Sequence, residues 1–115
     1  MTIDDLKAYG ANTEEGLRRC LNNEAFYLRL VRMIPGDPNF QKLYDAVADG
    51  DLSAAFDAAH ALKGSTGNLA LTPIYGPIVE ITELLRAKTK TQTEYSALID
   101  RIRKGREDLA RICEG

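Results

Sequence analysis

Along most of this chain apolar residues return every three or four positions, and glycines, prolines and small polar residues break the runs. That period predicts amphipathic helices. No segment alternates apolar and polar residues with enough β-branched character to argue for a strand. Thr13 is placed to cap "EEGLRRCL", with Glu14 and Glu15 in the favourable first turn. Asn23 is placed to cap "EAFYLRLVRMI", in which Phe26, Leu30 and Ile34 read as one stripe. "PGDP" at 35–38 ends that helix and starts another, with Asp37 as cap and Pro38 at the first helical position. Phe40, Leu43, Tyr44 and Val47 form its apolar face. Gly50 is the expected left-handed terminator and Asp51 the next cap, opening a helix from Leu52 to about Leu69. Thr72 and Pro73 signal a further start, followed by Ile74, Ile78, Ile81 and Leu85. Pro77 is awkward there, since it removes a backbone donor and crowds the carbonyl four residues earlier. Either the helix begins at Pro77 or its first turn is distorted. "KTKTQ" at 88–92 reads as a polar connection, and Tyr95, Leu98, Ile99, Ile102, Leu109 and Ile112 mark a long last helix.

The expected fold is therefore all-α. The last four helices are joined by short loops and should alternate in direction as an antiparallel four-helix bundle over 37–113, with residues 1–35 as a short helical N-terminal cap. At 115 residues the chain has the length of one domain, 1–115, and can bury a core without disulfides or metals. Its net charge of -2 gives no electrostatic footprint for nucleic acid. It has no run of about 18 apolar residues to span a membrane, and "MTIDDLKAYG" is too acidic and polar for a signal peptide. Cys20 and Cys113 show no metal-ligand spacing, so two free thiols in a reducing cytoplasm are expected. Met1 and the lack of a linker favour a free-standing protein.

The candidate chemistry lies in "HALKGSTGN" at 60–68, which holds His60, the one histidine of the chain. On a helical wheel Ala55, Ala58, Ala59, Leu62, Thr66 and Leu69 gather in one arc, and His60 falls about 150° from its centre. Lys63, Gly64 and Gly67 share His60's side, at spacings of three, four and seven, and Phe56 precedes it by one turn. His60 is thus expected at the surface. An exposed imidazole is a nucleophile when neutral, and Lys63 can place an ammonium beside an anionic group on the ring. Each glycine costs a helix about 1 kcal/mol relative to alanine. Two of them beside the histidine suggest a face that must let a partner's active site close over His60, with Phe56 in an apolar docking surface around it.

"AHALKGSTGNLAL" (59–71) closely resembles the signature of histidine-containing phosphotransfer (HPt) domains, an "HxLKG" core followed by small residues and a glycine. His60, Leu62, Lys63, Gly64 and Gly67 all match, and the likeness extends through "PNFQKLYDAVADGDLSAAF" and "IYGPIVEITELLR" over the whole chain. The resemblance implies a four-helix bundle with an N-terminal cap. It also implies that His60 is the phosphoacceptor on its outer ring nitrogen, that Lys63 helps neutralise the phosphoryl group, and that Gly64 leaves room for a receiver domain. The implied partners are a response-regulator receiver domain and a hybrid sensor histidine kinase in a two-component phosphorelay.

The chain shows no nucleotide loop and no acidic cluster suited to Mg²⁺, so the divalent ion is expected in the receiver partner. It needs no cofactor of its own and reads as a monomeric phosphocarrier without intrinsic kinase activity. A non-catalytic helical adaptor of the same fold is the alternative. An independent hydrolase or metal enzyme built on His60 lacks a second histidine, a nucleophile–base spacing or a ligand cluster. Asp57, Glu80 and Glu83 are expected to face solvent, with Asp57 close enough to the His60 stripe to influence partner choice.

Overall fold

The computed structural model describes residues 1–88 and 92–114. Most of the predicted connection at 88–92 and the terminal Gly115 lie outside the described residues. Seven helices and no strand occur among them: α1 (Ile3–Tyr9), α2 (Thr13–Arg19), α3 (Glu24–Met33), α4 (Asn39–Asp49), α5 (Leu52–Asn68), α6 (Thr72–Ala87) and α7 (Gln92–Glu114).

Helices α4 to α7 form the bundle, in which α5 packs on α4 and α6, and α7 packs on α6 and α4. Cross-helix contacts run in opposite senses. On α5 and α6, Phe56 meets Arg86, Lys63 meets Glu83, and Gly67 meets Tyr75. Between α4 and α7, Tyr44 meets Arg103 and Phe40 meets Arg106. Each neighbouring pair is antiparallel. The turn between α4 and α5 follows from its residues: Gly50 takes φ 74°, and the Asp51 side chain accepts from the Ala54 amide at 3.1 Å.

The core is made by the apolar faces the periodicity predicts. Phe40, Leu43, Val47, Ala55, Ala59, Leu62, Ile74, Ile78, Ile81, Leu85, Ile99 and Ile102 are all buried. Burying one such large side chain is worth about 1.5–3 kcal/mol. Two buried threonines return their hydroxyls to their own helix, Thr66 to the Leu62 carbonyl and Thr82 to that of Ile78, each at 2.7 Å.

Four local expectations are corrected. Asn12, not Thr13, caps α2, accepting from the Glu15 amide at 3.2 Å, while Thr13 is the first helical residue and buried. The Asp37 side chain does accept from the Asn39 amide at 2.8 Å, but Pro38 stands just outside α4, not at its first position. The buried stripe of α3 is Tyr27, Val31 and Ile34 with Leu28, whereas Phe26 is 40% exposed and Met33 65%. Two adjacent stripes of α3 carry apolar residues at the same spacing, and tertiary contact selects one. Gly16 leaves room for the Tyr27 ring, whose hydroxyl donates to the Leu69 carbonyl at 2.8 Å. Finally, α6 begins at Thr72 and continues through a buried Pro77. The Pro73 carbonyl, which would have accepted from an amide at 77, lies beside Gly105 of α7.

The N-terminal helices sit on the end of the bundle where α5 turns into α6. Besides Tyr27, the Asn12 amide donates to the Ala70 carbonyl at 2.9 Å. Tyr9 and Arg106 tie the same region to α7, through the Gly105 and Pro35 carbonyls.

Candidate functional site

Helix α5 places its buried arc, Ala55, Ala58, Ala59, Leu62 and Thr66, against the bundle, which leaves His60 exposed on the opposite side. The imidazole stacks on Phe56, one turn earlier, with ring centres 5.7 Å apart and planes 15° from parallel. Phe56 is half-buried and carries the Arg86 guanidinium on its ring, 5.5 Å from the centre. Phe56 thus lies between the His60 ring and the Arg86 guanidinium, in contact with both.

Lys63 is one turn further along α5. Its Nζ lies 3.9 Å from Glu83 of α6, which is also 3.8 Å from Arg86. At that separation and exposure the pair holds Lys63 only loosely, so its ammonium is free to turn toward His60. Glu80, Glu83 and Asp57 are exposed.

The two glycines differ. A side chain at Gly64 would meet nothing within 4 Å, whereas a Cβ at Gly67 would lie 2.7 Å from Cε1 of Tyr75. Gly67 is a close-packing position, contrary to the expectation that both glycines serve an approaching partner. The Gly67 carbonyl also accepts from Arg19 Nη1 at 2.8 Å. Gly64→Ala should raise stability by up to about 1 kcal/mol through helix propensity. Gly67→Ala should lose that gain or reverse it, because the Tyr75 ring must move. Chemical denaturation of both variants checks this, and equal shifts would contradict it.

His60, Lys63 and Gly64 line one shallow depression together with Gly67 and Asn68 at the end of α5, Tyr75 of α6 and Arg19 of α2. Of these, Arg19, Asn68 and Tyr75 escape sequence reading, as does Arg86 over Phe56. Tyr75 and Arg86 need the α5–α6 register, and Arg19 reaches the site across 48 residues with no local signal. Among the described residues no three His, Cys, Asp or Glu side chains converge as a metal site would require, and both cysteines are free thiols.

An exposed histidine on a bundle helix, with a lysine one turn on and open helix surface beside them at Gly64, is a constellation for carrying a small anionic group. A family model, that of the Hpt domain, matches residues 36–112, which span α4 to α7 and the site on α5. The chain belongs to the Hpt-domain family. Hpt domains serve phosphotransfer in two-component signalling, as phosphocarriers and not as kinases, and interact with receiver domains and kinases. No curated protein and no solved structure matches this Hpt domain. None of its described helices is long and apolar enough to cross a membrane. Helices α1 to α3 lie before the matched region, so Arg19 is an addition to the site from outside it.

Proposed function

We propose that this Hpt domain carries a phosphoryl group on His60, between the aspartate of a response-regulator receiver domain and a hybrid sensor histidine kinase. The observation that carries this reading is the exposed His60 imidazole beside the open helix surface at Gly64. In transfer from a receiver, the lone pair of Nε2 attacks phosphorus in line. The Nε2–P bond forms as the aspartyl O–P bond breaks, and the carboxylate leaves with its electron pair. Such a step depends on positioning and on charge stabilisation of the equatorial oxygens. The stack on Phe56 restricts the imidazole, and Lys63 meets the developing charge. Mg²⁺ belongs to the receiver partner in this reading, and the protein works as a cytoplasmic monomer without kinase activity of its own.

Lys63→Met should slow transfer about tenfold, as loss of one partly solvated cation at a phosphoryl group does, and Lys63→Arg should restore most of it. Stopped reactions with one receiver check both. The reading as a whole is tested by incubating the protein with Mg²⁺ and a panel of phosphorylated receiver domains from the same genome. At least one receiver should lose its phosphate to this chain. No gain from any active receiver would leave a helical adaptor of the same fold.

A further inference from the structure

Arg19 is held in a way that a solvated surface arginine is not. It is the last residue of α2, and its Nε donates to Glu15 Oε1 at 2.9 Å while Nη1 donates to the Gly67 carbonyl at 2.8 Å. Glu15 is itself held by Arg18 through both carboxylate oxygens. Those hydrogen bonds, from Arg18 first and then Arg19, keep the Glu15 carboxyl below its usual range, so it stays charged as the anchor. A guanidinium has five N–H donors in a rigid fork. Two are committed here, and the other three have no partner among the described residues. Arg19 lines the depression that also holds His60, Lys63 and Gly64.

We infer that Arg19 is a docking residue for the partner that exchanges phosphate with His60, and that it takes a carboxylate on that partner's surface. The inference rests on the phosphotransfer reading. Gly67 lies two helical turns beyond His60, about 10 Å along the axis. Arg19 is therefore too far along α5 to touch the phosphoryl group, but a receiver that brings its aspartate to His60 over the open surface at Gly64 covers the Gly67 end as well. The depression it covers is lined by two cations, Arg19 and Lys63, and by no carboxylate, so the surface complementary to it is acidic. A fork already fixed at two points loses little side-chain freedom on binding. It selects a partner carrying an acidic residue about 10 Å from the reacting aspartate. The residue comes from α2, outside the matched family region, so it is a device of this chain for choosing among receivers.

The test compares wild type with Arg19→Glu, Arg19→Met and Arg19→Lys, using a receiver that phosphorylates the wild type and, separately, phosphoramidate. With phosphoramidate the bond from phosphorus to ammonia breaks as the Nε2–P bond forms, and no docking surface is needed. Expected is a loss of about tenfold in kcat/KM for receiver transfer in Arg19→Glu, at unchanged kcat, since a rim charge acts mainly on association. Arg19→Met should lose less and show a flatter dependence on salt, Arg19→Lys should retain most of the rate, and phosphoramidate labelling should be equal in all four. Receiver transfer in Arg19→Glu as fast as in wild type overturns the inference alone. Losses of equal size with both donors overturn it too, by showing that Arg19 only ties α2 to α5. A wild type that no receiver labels overturns the phosphotransfer reading, and this inference with it.

Discussion

His60→Gln should abolish phosphoryl acceptance completely and leave the fold intact. The chain has no other histidine, so no second imidazole can take over the role. The side chain is exposed and its one ring contact is with Phe56. Losing that stack costs no more than about 1 kcal/mol, and glutamine is a good helix former. Helical content and the unfolding midpoint should therefore stay close to wild type, while receivers that discharge onto wild type keep their phosphate in the presence of the variant. Both halves of that result matter. Label persisting on His60→Gln would place the phosphate elsewhere on the chain, and an unfolded variant would mean that His60 has a structural role its exposure does not show.

Gly64→Gln should separate folding from partner access. Nothing stands within 4 Å of a Cβ at that position, so the substitution meets no clash and gains helix propensity. The added side chain occupies the surface one turn beyond His60, over which the partner must close. In-line attack requires reacting atoms within about 3.5 Å, and a displacement of about 1 Å costs roughly a hundredfold. Receiver transfer should fall by about that factor, while labelling of His60 by phosphoramidate proceeds as in wild type. Receiver transfer at the wild-type rate would show that the partner does not approach over Gly64.

The fold was legible because α4, α5, α6 and α7 each carry one dominant apolar stripe. For α5, the arc of Ala55, Ala58, Ala59, Leu62 and Thr66 is buried residue for residue, and the exposure of His60 follows from the same rotation. The register of α3 was not legible, because Phe26 and Leu30 compete with Tyr27 and Val31 at identical spacing. Only the seat that Gly16 and the Leu69 carbonyl provide for Tyr27 decides between them. Pro77 leaves two readings open in the sequence, a helix that begins there or one that starts at Thr72 with a distorted first turn, because a proline costs a helix interior a donor and a clash. Its place within α6 depends on packing against α7 that a one-dimensional pattern does not contain.

At the site, what lies along one helix face could be read, and what other helices bring could not. His60, Lys63 and Gly64 come from α5 alone. Gly67 looked equivalent to Gly64 because both occur on the histidine's side of the wheel. The Tyr75 ring, delivered by α6, makes one a packing position and leaves the other open. Arg86 on Phe56 and Arg19 on the Gly67 carbonyl likewise depend on tertiary register.

The central claim is a phosphorus–nitrogen bond on the one imidazole of this chain, and the ³¹P NMR spectrum of receiver-labelled protein tests it most directly. The account predicts a single phosphohistidine resonance that disappears on mild acid treatment and survives in base. An acid-stable phosphate ester, an acyl phosphate, or no bound phosphorus after incubation with active receivers would contradict it.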